Sequence, residues 1–344
     1  MGAAGTDRRG RIVSFGEVLL RLGASSPGLL FQQPQLEACI GGAEANVAVA
    51  LAGFGHEVSL LTTLPDNPIG EWARRALLAT GISLEAKTMS SSRMGVYYLQ
   101  PGAMTRPSSV TYDRAHSAFA SIAPEAYDWP GLLAGAEWLF VGGITAALGE
   151  RALAALRNAI TAAQAAGVRI AFDTNYRPTL WRGREGEAAA ILFELSCEVD
   201  LLFAGRRAVA LMVGADYSDG EPDEGFHAAA QTMFARAPQL MHMAATRRKV
   251  QSSDRQTLTG LLADREGIST SHTIELGNIV DRVGTGDAFA AGVVHGLITG
   301  MERAATIHFA TTCAEWAHSV PGDFLRASVE DIAALAAGSG DVRR

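Results

Sequence analysis

The sequence predicts an α/β fold: a mostly parallel central sheet covered by helices on both faces, with a small β lid beside it. Two observations carry that prediction. Strand-like and helix-like segments alternate through most of the 344 residues, and one stretch, residues 93–119, interrupts them with short strands of mixed polarity.

The first extended segment covers residues 11–22 and is broken at Gly16. Gly41 and Gly42 open a helical run over 43–54, which Gly53 and Gly55 end. Residues 58–62 read as a buried strand and 69–79 as an amphipathic helix. Strands at 138–141 and 168–172 enclose a helix at 150–166 that stops at Gly167. A further helix at 187–195 leads to a short strand at 201–203. Within 93–119, strand candidates 95–99 and 109–112 flank Pro101-Gly102 and Pro107, the pattern of a half-exposed antiparallel hairpin. Together with residues 23–39, this hairpin builds a second sheet placed to act as a lid. No repeat or low-complexity linker divides the chain, so residues 12–335 are expected to form one compact unit, with 1–11 and 336–344 as flexible tails.

Composition narrows the function. There are 36 acidic against 29 basic residues, a formal net charge of -7, and no long basic run, which argues against a nucleic-acid partner. No apolar run reaches the ~18 residues of a membrane span, and the first residues lack the apolar stretch of a secretory signal. Cys39, Cys197 and Cys313 are too scattered for a disulfide framework or a zinc site, and the histidines contain no HExxH. A cytoplasmic protein with reduced thiols and no metal held by protein ligands alone is expected.

The strongest local signal is Asp281-Arg-Val-Gly-Thr-Gly-Asp287, followed by a small-residue helical run over 288–297. Gly284 and Gly286, on either side of Thr285, permit a tight turn with bare amides. Free first-turn amides and the positive end of a helix dipole suit an anion such as a transferring phosphoryl group. Asp287, at the mouth of that hole, can take the proton of an attacking hydroxyl. The competing reading is a plain helix cap, with Asp287 satisfying the amides of its own helix. No Gly-Lys-Ser/Thr follows, so this is not a Walker A loop, and its late position excludes a dinucleotide fingerprint. A second motif, Gly41-Gly-Ala-Glu-Ala-Asn46, lies near the amino end: Gly42 lets a ligand approach the backbone, and Asn46 offers both a donor and an acceptor to hydroxyls.

An early Gly-Gly-x-x-x-Asn with a late Gly-x-Gly-Asp resembles the paired signatures of the ribokinase-like (phosphofructokinase-B) superfamily of carbohydrate kinases. The resemblance runs over residues 12–335 and implies a three-layer α/β/α sandwich with a β lid, ATP as donor, Mg2+ and a sugar acceptor. Residues 41–50, Tyr112-Asp-Arg114 with Ser117-Ala118, and Asp173-Thr-Asn-Tyr-Arg177 with Leu180-Trp181 are similar to the 2-keto-3-deoxygluconate kinases. By that likeness Gly42, Tyr97, Tyr112, Arg114 and Arg177 contact a sugar acid, and Asn46 faces the same cavity. The segment Asn175 to Arg177 also approaches the nucleotide, so Arg177 could instead serve ATP, and Gly284, Thr285, Gly286 and Asp287 hold the phosphoryl group and deprotonate the hydroxyl. Two arginines suit a carboxylate, which accepts paired charge-assisted hydrogen bonds from each planar fork.

The chain departs from the family twice. Where relatives carry Asn-x-x-Glu, which organises magnesium and phosphate, this sequence has Gly205-Arg-Arg-Ala208, so Mg2+ is expected to be held mainly through the nucleotide. Arg206 and Arg207 are there either phosphate contacts or a solvated turn. The family's Lys/Arg-Gly-x-x-Gly loop is replaced by Ala244-Ala-Thr-Arg-Arg-Lys-Val250, which leaves Thr246 and Arg247 to meet phosphates. Other readings stay open: Tyr97 and Tyr112 as lid packing, Arg114 and Arg177 in salt bridges, and Pro321-Gly-Asp-Phe324 as the adenine border or a plain turn. Two alternative functions also remain, a kinase of a neutral sugar such as fructose or ribose, and a sugar- or nucleotide-binding homologue with weakened turnover. Exposed edges of the lid sheet make a homodimer through the lid plausible.

Overall fold

The computed structural model describes residues 10–25, 28–218 and 221–338. In chain order the first elements are β1 (Arg11–Phe15), β2 (Leu19–Gly23), β3 (Glu37–Gly41), α1 (Ala43–Gly53), β4 (Val58–Pro65), α2 (Pro68–Leu78) and β5 (Ser83–Met89). Then come β6 (Gly95–Gln100), β7 (Ser109–Asp113), α3 (Ala118–Ser121), α4 (Trp129–Leu133), β8 (Ala136–Gly142), α5 (Gly143–Ala147), α6 (Glu150–Ala165), β9 (Arg169–Asp173) and α7 (Glu185–Ser196). The last part holds β10 (Leu201–Phe203), α8 (Arg206–Val213), α9 (Pro222–Arg236), β11 (His242–Val250), β12 (Arg255–Ala263), β13 (Ile268–Thr270) and β14 (Ile274–Gly277). Three helices close it, α10 (Thr285–Ile298), α11 (Arg303–His318) and α12 (Val329–Ala336). No helix of the described residues is long and apolar enough to cross a membrane.

The main sheet has 10 strands in the order β13-β12-β11-β10-β9-β8-β1-β4-β5, with β14 also on β12. From β5 to β11 all pairs are parallel; β12, β13 and β14 join antiparallel. Such strands are apolar on both faces because both faces are covered. Successive residues feed two cores: Val13, Leu139, Val141, Ile170 and Phe172 pack with α3–α9, whereas Ile12, Trp138, Phe140 and Ala171 pack with α1, α2 and α10–α12. This is a three-layer α/β/α sandwich.

The second sheet has the order β3-β2-β6-β7. The hairpin β6–β7 is antiparallel, as expected, and it joins the first hairpin through a parallel pair, β2 with β6. The single extended segment expected over 11–22 is two strands in two sheets: after β1 the chain leaves the sandwich through Gly16, Glu17 and Val18 and enters β2. The second sheet therefore takes its strands from both sides of the 23–39 segment, most of which is the connection between them. Arg11, placed in a flexible tail by the sequence, begins β1, and its guanidinium donates to the carbonyls of Leu132 (2.6 Å) and Ala134 (3.0 Å). The rest of the expected tails, residues 1–9 and 339–344, lies outside the described residues.

Small residues bring α10 onto α11. A Cβ on Gly292 would stand 2.5 Å from Ala310 Cα, a backbone atom that cannot swing aside. Gly292→Val is expected to lower unfolding free energy by about 1–3 kcal/mol in a denaturant titration. The exposed helical Gly186, with open space at its Cβ position, is the control: Gly186→Ala should hold or raise stability, by up to ~1 kcal/mol.

Candidate active site

The parallel strands end at a cleft of about 1150 Å3, roofed by the second sheet, where ligands of open α/β sheets bind. At its floor α10 starts one turn earlier than the sequence suggested. Gly284 is its N-cap in the left-handed region (φ 78), and Thr285, Gly286 and Asp287 are its first three residues. A side chain at 284 would be strained and would meet the Asp323 carbonyl at 2.1 Å. The first-turn amides thus face the cleft without intrahelical partners.

Asp287 is not a cap for its own helix, which has no side-chain cap hydrogen bond. Its Oδ2 instead accepts a hydrogen bond from Asn46 Nδ2 at 2.6 Å, from the first turn of α1. The two glycine motifs, 241 residues apart, therefore meet. Gly42 makes this possible: at φ 143 it lies against the Glu17 carbonyl, which a Cβ would meet at 2.3 Å. Burial pushes the Asp287 carboxyl up to about 7; the Asn46 hydrogen bond pulls it down, Asp173 and Asp323 push it up, and Arg177 pulls it down. A base whose affinity for protons matches neutral pH is well placed to take a hydroxyl proton.

Two further acids crowd the floor. Asp173, at the end of β9, is pushed up to about 6 by burial, against the hydrogen bond from the Asn175 amide (2.9 Å). Asn175 itself is held in the left-handed region (φ 38) and lines the cleft with Arg177. Arg177 is exposed, and no ion pair to it exists among the described residues. Glu44, in the first turn of α1, is buried, and burial pushes it up to about 8. Gly16 and Gly142 leave the room it occupies, since a Cβ on either would meet its carboxylate oxygens at 2.1 and 2.4 Å.

The roof is tied down by two buried ionic clusters. Arg114 donates from Nε (2.8 Å) and Nη2 (2.5 Å) to Glu17 Oε2, and Ser117 donates to Glu17 Oε1. The Arg114 fork, expected to be free for a substrate, is thus largely committed to the protein. Tyr97 is likewise engaged, donating its hydroxyl to Asp323 at 2.6 Å. Arg21 bridges Asp323 (2.9 Å) and Asp281 (2.5 Å), and Asp281 accepts from the amides of Arg282, Val283 and Gly322. Asp323, in the 321–324 segment, is therefore a lid anchor. Tyr112 lines the cleft, with the Arg114 guanidinium 5.6 Å from its ring.

On the opposite wall Thr246 lines the cleft and Arg247 does not. Both lie on β11, where side chains alternate between faces; Arg247 points away and pairs with Asp223 at 3.1 Å. Arg248, unremarked in the sequence, faces the cleft and donates to Thr285 Oγ1 at 3.3 Å. The segment expected as a turn is the start of α8, with Gly205 as its N-cap; there Arg206 donates to the Tyr217 carbonyl (2.9 Å), and the exposed Arg207 lines the cleft.

Twelve of the thirteen residues singled out in the sequence thus line one cleft: Gly42, Asn46, Tyr97, Tyr112, Arg114, Asn175, Arg177, Thr246, Gly284, Thr285, Gly286 and Asp287. Glu17, Arg21, Glu44, Asp173, Asp323, Arg248 and Arg282 were missed as participants. Glu44 and Asp173 lay inside quoted motifs; Glu17 and Arg21 carried no local signal. A polyphosphate nucleotide fits the residues present, because the α10 amides with Thr246 and Arg248 form a cradle for phosphate. Among the described residues no group of three or more His, Cys, Asp or Glu could hold a metal ion.

A sandwich and roofed cleft with a buried carboxylate beside open helix amides suit a sugar kinase. The model of the pfkB family carbohydrate kinases matches residues 9–325, and the chain belongs to that family. It is 28% identical to the 2-dehydro-3-deoxygalactonokinase of Haloferax volcanii over 93% of this chain and 95% of that one. The crystal structure of a PfkB family carbohydrate kinase from Listeria grayi superposes with a TM-score of 0.89 at 34% identity, covering 95% and 99% of the two chains. That of the 2-dehydro-3-deoxygluconokinase of Thermotoga maritima gives 0.90 at 33%, again covering 95% and 99%.

Asp287→Asn is nearly isosteric but cannot take a proton, and should reduce kcat by about 10²–10⁴ in a coupled assay. The same change tests the burial of the charge. The folded Asp287 carboxyl lies above the usual 3.8, so the stability it contributes when protonated is lost as pH rises from about 4 to about 7. The Asn variant escapes that loss, so its Tm advantage over wild type should grow across that window and level off above it. Asn46→Ala removes the hydrogen bond that lowers Asp287, and should move the acid limb of the kcat/KM profile to higher pH.

Proposed function

We propose that the chain transfers the γ-phosphoryl group of ATP to a hydroxyl of a keto-deoxy sugar acid, with 2-keto-3-deoxygluconate, phosphorylated at its 6-hydroxyl, as first choice. The observation that carries this is the pairing of a base with an unpaired cation. Asp287 and the α10 amides stand ready for the transferring group, and Arg177, close enough to pull the Asp287 and Asp173 carboxyls down, forms no ion pair among the described residues. A neutral sugar leaves that guanidinium without an anion, whereas a sugar acid supplies one. The names of the Haloferax volcanii and Thermotoga maritima relatives support the same substrate class.

ATP supplies the phosphoryl group, with magnesium carried in by its phosphates. The protein does the rest. Gly42, Asn46, Tyr112 and the remaining N–H of Arg114 orient the acceptor, and Arg177 holds its carboxylate. Asp287 accepts the hydroxyl proton as the new O–P bond forms and the bond to the leaving nucleoside diphosphate breaks. The amides of Thr285, Gly286 and Asp287 face the charge that develops on the phosphoryl oxygens. Asn175 and Thr246 border the donor. One observation favours the second reading, a neutral sugar: Glu17 already neutralises Arg114, leaving Arg177 as the one free guanidinium of the two expected to hold a carboxylate.

A panel of sugars and sugar acids in a coupled ATP-consumption assay decides between them. Arg177→Ala should raise KM for the sugar acid tenfold to a hundredfold, the equivalent of roughly 1.5–3 kcal/mol for a charged hydrogen bond, and leave KM for ATP unchanged. Faster phosphorylation of fructose or ribose than of any keto-deoxy sugar acid overturns the proposal.

A further inference from the structure

The cleft segregates its charges. Its lining acids, Glu17, Glu44, Asp173, Asp281, Asp287 and Asp323, come from the chain before residue 174 or after 280. The wall between them, built by the end of β10, the start of α8 and β11, lines the cleft with no acid and contributes Arg207 and Arg248, with Arg282 near Arg248. None of these three arginines has an ion-pair partner among the described residues. Arg248 Nε is buried and makes no hydrogen bond among the described residues, and Nη2 donates to Thr285, the first residue of α10. Burial first, and then the neighbouring Arg282, pull the Arg248 guanidinium down to about 10, and burial lowers Arg282 as well. Two cations held together away from water repel each other and lose hydration. Such a pair beside open helix amides is complete only with an anion between them.

We propose that Arg248 and Arg282, with Arg207 at the rim, hold the donor polyphosphate directly, so that guanidinium groups neutralise charge on a wall where a carboxylate would organise a metal ion. The anion is a polyphosphate rather than the acceptor's carboxylate, because Arg248 donates to Thr285 Oγ1 at the start of α10, where the open first-turn amides suit phosphoryl oxygens. Forked guanidinium groups match phosphate oxygens in pairs. A carboxylate-organised site takes phosphate only as its magnesium complex; a guanidinium site binds the free, more highly charged anion at least as well.

The inference rests on the reading of the donor as a nucleoside triphosphate but is tested without turnover. Calorimetry of the full chain with inorganic tripolyphosphate, in EDTA and then in magnesium, should give binding in EDTA no weaker than in magnesium. Arg282→Gln, at a half-buried position, and Arg248→Gln should each weaken that binding tenfold or more. The exposed Arg157→Gln should leave it unchanged. Because neither arginine has a carboxylate partner, the ligand-free variants should keep or raise the wild-type Tm. Binding seen only with magnesium overturns the proposal, as does an Arg282→Gln or double variant that binds tripolyphosphate as wild type does. If the sugar panel fails while tripolyphosphate behaves as described, the acceptor reading falls and this one stands.

Discussion

Asn46 donates to Asp287 where the first turns of α1 and α10 meet, and the rest of the cleft is arranged around that contact. Two helix N-termini brought together concentrate positive partial charge and unpaired amides. Carboxylates are the natural complement, and Glu44, Asp173 and Asp287 supply them. Burial works against their ionisation, and the result is a set of acids pushed up to about 8, 6 and 7.

The lid is joined to this floor by ions rather than by a large apolar face. Its own cluster is small, Leu19, Tyr97 and Leu99 with Tyr112 and Val283 beside them. Glu17 holds Arg114 at the point where the chain crosses between sheets, and Arg21 with Tyr97 reaches Asp281 and Asp323 in the segments that flank the anion hole. Removing one member of such a cluster leaves an uncompensated buried charge, which is far more destabilising than loss of a surface pair. The same residues that roof the cleft therefore fix the turn that opens α10.

The donor wall obeys the opposite logic. There Gly205-Arg-Arg-Ala208 stands where the resemblance implies Asn-x-x-Glu, and β11 runs on as a regular strand into its hairpin with β12. Strand alternation then decides which cations face the cleft: Thr246 and Arg248 face in, and Arg247 faces out.

The sequence by itself determined the sandwich, because buried parallel strands need apolar residues on both faces and glycines to end their helices. It also determined the two ends of the catalytic contact, because a turn of bare amides can only be written with glycine at positions such as 42 and 284. Tertiary structure alone decided the partners. Nothing local distinguishes a free arginine from one committed to an acid about a hundred residues away, so Arg114 and Tyr97 read as open ligand contacts until Glu17 and Asp323 were seen against them. In the same way Glu44 read as one letter of a motif, until Gly16 and Gly142, from two other stretches of chain, were found to make the space it fills. Side-chain identity is local, but burial and charge compensation belong to residues distant in sequence, and they decide which groups remain free to act.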